Sequence, residues 1–391
     1  MIPTQTAAIF LDAYRELNAK KLFWITMGLN LLAVIVFASA GINQNGITFW
    51  HWQLMDNPFF NSENVSPELF YKTQFTSWGI PIWLSWATII LALVSTAGII
   101  PDLISSGMIE PVLSKPIGRV RLFLTKFFTG LLFVGLQVTV FSVGALLVIG
   151  IRGGAWELKL LLAIPIVLAL FSYLFSFCAL MGLITRSTIA SLLITMLLWF
   201  IIWIVNLGDG FMLAQREGSR LRAEDREAMV EKQTELAEKL RDQRRQEGEP
   251  VPGEGDTPVP EGFEDPLEAI NPSLRRARTR LEDARETADS SARWAGRVIM
   301  LKTIFPKTQE TVGLLERYLI SQKELNELMG MSQPDEPENL DDMPPMADPR
   351  ASERVAQILR ARSLGWILGT SFAFEFIMLA LCSWIFARRD F

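Results

Sequence analysis

From Leu22 to Gly208 the chain is largely a succession of stretches without a charged side chain: Leu22–Met55, Thr73–Pro101, Phe127–Ile151, Leu160–Thr185 and Ser187–Gly208. A sixth, Ser363–Ala387, lies at the C-terminal end and is interrupted by Glu375 alone. Each has room for the ~20 apolar residues with which an α-helix crosses ~30 Å of hydrocarbon. Membrane strands would need only ~10 residues, but they would alternate apolar and polar side chains, and runs such as Ile189–Val205 do not. The pattern therefore predicts an all-α polytopic membrane protein with six transmembrane helices.

Between the fifth and sixth stretches the pattern inverts. Roughly 24 of the 37 Lys and Arg and 32 of the 42 Asp and Glu fall between Leu207 and Arg362, so the acidic balance of the chain sits there and says nothing about nucleic acid. Three parts follow: 1–206 with an N-terminal interfacial helix and helices 1–5, 207–362 as a large charged helical insert, and 363–391 with helix 6 and a tail. Within the insert, Arg216–Gln246 is free of Pro and rich in helix formers, with Glu235 and Lys239 spaced i,i+4. A Pro/Gly/acidic linker, Gly248–Asp265, separates it from a second helical stretch, Pro272–Arg297. The two are expected either to fold back as a hairpin or to form a partly disordered arm. Gln309–Met329 is amphipathic through Val312, Leu315 and Leu319 and is expected to pack on the outer membrane face or on the hairpin, and the acidic, Pro-rich Ser332–Pro349 reads as a solvated linker.

Orientation follows from the basic residues at the ends of the apolar stretches. Arg15, Lys20 and Lys21 precede the first, Lys115, Arg119, Arg121 and Lys126 crowd the second connection, Arg186 marks the fourth, and Arg388 and Arg389 follow the last. These ends are expected in the cytoplasm, which places both termini inside and 207–362 outside. Ala38-Ser39-Ala40 resembles a signal-peptidase site, but Asp12 and Glu16 do not suit the basic segment of a signal peptide, so the first helix is expected to stay. Thr6–Lys20 puts Phe10, Tyr14 and Leu17 on one face, as an interfacial helix would. Trp50, Trp52, Trp78, Trp83 and Trp86 read as an aromatic belt at the outer interface.

Catalytic chemistry has little material. The two cysteines, Cys178 and Cys382, lie inside apolar stretches and His51 is the one histidine, which leaves neither a disulfide framework nor a His- or Cys-based metal site nor a Ser-His triad. No G-x-x-x-x-G-K-[ST] phosphate loop occurs, so nucleotide hydrolysis is not expected on this chain. Glu375, near the middle of the sixth stretch, carries an insertion cost of ~2.5–3.5 kcal/mol and should face the bundle interior or a translocation path.

The second connection reads Pro101-Asp102-Leu103-Ile104-Ser105-Ser106-Gly107-Met108-Ile109-Glu110-Pro111-Val112-Leu113-Ser114-Lys115-Pro116-Ile117-Gly118-Arg119, with Lys126 a little further on. Pro111 and Pro116 bracket a short segment in which Ile109, Val112, Leu113 and Ile117 offer an apolar face flanked by Lys115 and Arg119, suited equally to docking in a groove or to an interfacial turn anchored by the basic residues. This segment resembles the corresponding region of ABC-2 type transporter permeases, and the ending Ile385-Phe386-Ala387-Arg388-Arg389-Asp390-Phe391 is similar to the Phe-x-Arg-Arg-Asp-Phe terminus common in that family. The resemblance covers residues 1–206 and 363–391; the long insert departs from it.

The resemblance implies a non-catalytic permease subunit of an exporter in a prokaryotic plasma membrane. Ile109, Glu110, Val112, Leu113, Lys115 and Arg119 would form its coupling element toward a separate ATP-binding subunit. ATP and Mg would belong to that partner and no cofactor to this chain, while a second permease subunit, identical or not, would complete the path. Two other readings stay open: a membrane-anchored scaffold whose external arm, 207–362, binds a partner, and a secondary carrier that uses Glu375 as a proton relay. Deleting Arg216–Pro349 separates the first from a transporter, and Glu375→Gln separates the second.

Overall fold

The computed structural model describes residues 15, 18, 21–50, 52–56, 61–63, 65–105, 118–319 and 344–388. The expected interfacial helix Thr6–Lys20, most of the coupling segment and the end of the tail fall outside these residues, apart from isolated positions.

Among the described residues six helices are long and apolar enough to cross a membrane: α1 (Lys21–Ser39), α2 (Pro67–Ile104), α3 (Arg119–Gly153), α4 (Leu158–Thr185), α5 (Thr188–Glu247) and α10 (Leu364–Arg388). Among the described residues, four shorter or more polar helices lie between the last two: α6 (Pro266–Ile270), α7 (Pro272–Ile304), α8 (Thr308–Leu319) and α9 (Pro349–Ala361). The chain divides into two compact units. The first comprises Met1–Trp203, Thr303–Asp335 and Ser363–Phe391, and the second Ile204–Lys302 and Glu336–Arg362.

In the first unit α3 and α4 form the centre, with α1 against α3 and α10 against both. Phenylalanines fill the space between them: Phe127 stacks on Phe175, which stacks on Phe171, each at 5.1 Å between centroids. Gly130 lets Phe175 lie directly on α3, since a Cβ there would press into the ring at 2.7–2.9 Å. Between Phe75 and Ala87 α2 widens into a π-helix. Pro81 supplies the reason: it has no N–H to donate and its ring crowds the preceding turn, so the ladder shifts by one residue. Ser85 Oγ donates to the Ile80 carbonyl at 2.8 Å within this wide turn.

The first charge-free stretch does not stay helical to its end. After α1, residues Ala40–Asn43, Gly46–Phe49 and Trp52–Asp56 form a small antiparallel sheet, β1-β2-β3, within an otherwise helical chain. Asn43 turns the chain by accepting from the N–H groups of Asn45 and Gly46, each at 2.9 Å. The junction of α1 with the sheet is knitted to the bundle by Tyr71 Oη, which donates to Ala40 O at 2.9 Å, and by Arg152, which donates to Ala38 O. Trp50, Trp52 and Trp78 are exposed, as a belt would require, but Trp83 turns inward and Trp86 stacks on Trp199 at 4.6 Å.

In the second unit Arg216–Gln246 belongs to the same uninterrupted helix as the fifth apolar stretch, because no Pro separates them. Gly248 ends α5 with φ +71°, and the bonds Gly248 N–H to Arg245 O and Glu249 N–H to Arg244 O close a Schellman turn. The linker that follows is ordered: Arg245 pairs with Glu254, and Arg275 donates to Gly262 O at 2.6 Å. Asp265 caps α6, and α7 then returns antiparallel to α5, so the hairpin forms. Asn271 Nδ2 donates to Gln233 Oε1 at 2.9 Å and Arg285 to Glu227 at 2.9 Å, while Leu221, Ala237, Leu274, Ala277, Leu281 and Ala295 are buried. α9 lies on the hairpin through Arg350–Asp225 at 2.6 Å and Arg354–Glu224 at 2.9 Å.

These ion pairs make the second unit acid-sensitive. A hydrogen bond from Arg354 holds Glu224 below the usual carboxylate range, and the backbone N–H of Leu267, aided by Arg278, does the same for Asp265. At Asp348 burial pushes the carboxyl up, but bonds from Arg350 outweigh it and leave it low. All three are more acidic folded than unfolded, so the unfolded chain takes up protons first as the pH falls. Stability is therefore complete at neutral pH and declines from about pH 4 downward, by about 1 kcal/mol or less per partly exposed pair. Thermal melts of the full chain at pH 7 and pH 3 should show a lower midpoint in acid for this unit; an unchanged midpoint would refute the assignment.

Candidate functional site

Glu375 sits halfway along α10 and is 8% exposed. Ser172 on α4 donates to its Oε2 at 2.9 Å, and among the described residues no Lys or Arg pairs with it. One turn earlier, Ser371 Oγ donates to Ile367 O at 2.7 Å and accepts the Lys307 backbone N–H at 2.8 Å. Tyr173, fully buried with its ring on Phe372, directs its hydroxyl toward this group. Thr311 and Ser371 stand beside that hydroxyl at a geometry short of a hydrogen bond.

The third wall comes from the insert's return segment. α8 packs on α4, on the π-helical part of α2 and on α10, burying Val312, Leu315 and Leu319. That is the apolar stripe expected from the sequence, but it packs on helices of the bundle rather than on the membrane surface or the hairpin. Lys307, just before α8, is fully buried: its Nζ donates to Thr303 O at 3.1 Å and Phe305 O at 2.6 Å and lies 5.0 Å from the Trp366 ring centre. Carbonyl oxygens and an aromatic face are the partners that an amine needs where water is scarce. Together these residues give the middle of the bundle an acid, three hydroxyls and a phenol, capable of binding a polar or cationic group but not arranged as a nucleophile–base pair.

A second polar node joins three helices. Gln137 Nε2 on α3 donates to Thr26 Oγ1 on α1 at 2.7 Å, Asn30 Nδ2 to Thr26 O at 2.9 Å, and Trp83 Nε1 on α2 to Asn30 Oδ1 at 3.1 Å. All but Trp83 are essentially inaccessible. Its signal in the sequence is Thr26, Asn30 and Gln137 themselves: polar residues inside apolar stretches face other helices rather than lipid.

Of the coupling segment, Ile109, Glu110, Val112, Leu113 and Lys115 lie outside the described residues. Arg119 opens α3, and its Nη1 donates to Ala387 O, at the C-terminal end of α10, at 3.3 Å. Phe123 and Phe386 meet beneath this bond at 5.9 Å. Among the described residues no group of three or more His, Cys, Asp or Glu is arranged to hold a metal ion.

Compared with known proteins, the chain matches no family model, no curated protein and no solved structure.

Proposed function

We propose that this chain is the membrane-spanning permease subunit of an ATP-driven transporter of the ABC-2 type, working as an exporter in a prokaryotic plasma membrane. In this reading α1–α5 and α10 cross the bilayer, both termini are cytoplasmic and 207–362 emerges on the outer side, with α8 returning from it into the bundle. The chain hydrolyses nothing: ATP and Mg belong to a separate ATP-binding subunit, and a second permease subunit completes the path. ATP binding would close the ATPase pair, push on the segment from Glu110 to Arg119 and bias the helices between inward and outward arrangements.

The observation that best supports the reading is the bond between Arg119 and Ala387 O. The two stretches that resemble the family are almost 270 residues apart, yet they meet at one end of the bundle, where the guanidinium caps the carbonyl end of α10. A push on the connection before α3 would thereby reach α10, which carries Glu375.

Purification from the native membrane in mild detergent tests it. A stoichiometric ATP-binding protein should accompany the wild type and be lost in Leu113→Asp, which places a charge on the docking face, with the membrane fold unchanged by circular dichroism. No ATPase with either protein would sink the proposal.

A further inference from the structure

The outward face of α7 changes character abruptly. Ser291, Ala295 and Lys302 are buried, and on the opposite side of the helix Arg275, Arg276, Thr279, Glu282, Asp283, Glu286 and Arg293 form a charged surface over several turns. From Trp294 the same side is apolar: Trp294 is 54% exposed, Met300 73% and Leu301 50%. Arg297 is the one charge among them, and its guanidinium lies 4.8 Å from the Trp294 ring centre.

α5 changes at the matching level. Leu207 and Phe211 are exposed, its first ionic side chains beyond Asp209 are the half-buried Arg216 and the buried Glu217 with which it pairs, and its first exposed charge is Arg220. The level is set by a buried ion triad, in which Asp209 Oδ2 accepts from Lys302 Nζ at 2.7 Å and from Arg362 Nη2 at 2.9 Å. Because α5 and α7 run antiparallel from this tie, Phe211 stands level with Met300, and Arg216 with Ala295, next to Trp294. α7 thus exposes apolar side chains up to one plane and charged ones beyond it, and α5 passes from apolar to ionic residues at the same level, with its exposed charges beginning one turn further on at Arg220.

We propose that this plane is the water-facing edge of the bilayer's outer headgroup layer, so that phospholipid covers Leu207, Phe211, Trp294, Met300 and Leu301. The inference rests on the reading that α5 and α10 cross the membrane. Asp209 follows the charge-free stretch of α5 and Arg362 precedes that of α10, which puts the triad at the hydrocarbon edge. From Asp209 to Arg216, or from Lys302 to Trp294, is about 10–12 Å of helix, enough for two tilted helices to pass through a headgroup layer of about 5–8 Å. Trp294 then lies at the depth favoured by tryptophan, and Arg297, carried on its ring, reaches the phosphates. The base of the insert is accordingly a lipid-binding collar, and only the part beyond Trp294 stands in water.

Spin labels on the full chain in phosphatidylcholine nanodiscs test this. Labels enter through Leu301→Cys and Met300→Cys, with Leu197→Cys on the apolar stretch of α5 and Asp283→Cys on the charged face of α7 as references; Cys178 and Cys382 are buried. Labels at 300 and 301 should relax with dissolved oxygen and resist a water-soluble nickel chelate, with an oxygen-to-nickel ratio several-fold above that at 283. Nickel access at 300 and 301 equal to that at 283, with 197 protected, would overturn the collar while leaving the membrane reading intact. Nickel access at 197 as well would overturn both. Immobile labels closed to both reagents would replace lipid by a second protein surface and overturn the proposal.

Discussion

Asp209→Ala should destabilise the second unit by about 3–5 kcal/mol, the usual consequence of removing one partner from a buried ion pair. Lys302 and Arg362 converge on the same carboxylate oxygen, and all three side chains are less than a tenth exposed. Alanine removes the negative charge and leaves two cations close together in a place that water does not reach. For a unit of this size the melting midpoint should fall by roughly 10 °C, read by far-UV circular dichroism of the purified chain in detergent. Replacing all three, as Asp209→Leu with Lys302→Met and Arg362→Met, should recover most of the loss, because uniform desolvation without unpaired charge is close to neutral. A loss below about 1 kcal/mol for the single variant, the range of exposed pairs, would mean that the triad is solvated.

Gly218→Ala should also destabilise, against the helix-propensity trend. Alanine in place of glycine inside a helix normally gains about 1 kcal/mol. At Gly218, however, a Cβ would overlap the backbone carbonyl of Pro345, so the segment carrying α9 must lift from α5. That movement strips Arg350 from Asp225 and Arg354 from Glu224, and overpacking of this kind costs about 1–3 kcal/mol. Opening of α9 exposes Arg350 and Arg354 to trypsin, and cleavage there should accelerate roughly 5- to 100-fold. Gly296→Ala provides the control: on α7 a Cβ at this position meets nothing within 4 Å, so cleavage should be unchanged or slower. Equal behaviour of the two variants would refute the close approach of α9 and α5.

Much of the helical architecture can be read from charge spacing alone, because only a helix satisfies its own backbone over ~20 apolar residues in lipid. The sequence leaves the hairpin as one of two readings of the insert, since its apolar positions are sparse: Met229 and Leu236 are exposed, and Leu221, Leu274 and Leu281 share the buried face with Ala237, Ala277 and Ala295. Small residues that permit close packing carry no hydrophobic period strong enough to see in advance. The sheet after α1 was legible in principle, as Asn43-Gln44-Asn45-Gly46 is a turn signal between β-formers, but the absence of charge concealed it within an apparent helix.

The site around Glu375 divides in the same way. The sequence by itself determined that a carboxyl lies in the middle of an apolar stretch, that Val312, Leu315 and Leu319 share one face, and that polar residues interrupt otherwise apolar helices. It also carried the segment Glu110–Arg119, on which the functional proposal rests. Only the tertiary structure decided that α8 returns to the bundle, that Ser172, Ser371 and Thr311 gather near Glu375, that Arg119 reaches Ala387, and that Asp209, Lys302 and Arg362 share one buried point. The physical reason is range. Periodicity and propensity report what a residue prefers within its own few turns, whereas a buried charge or hydroxyl is satisfied by whichever distant segment packing brings beside it.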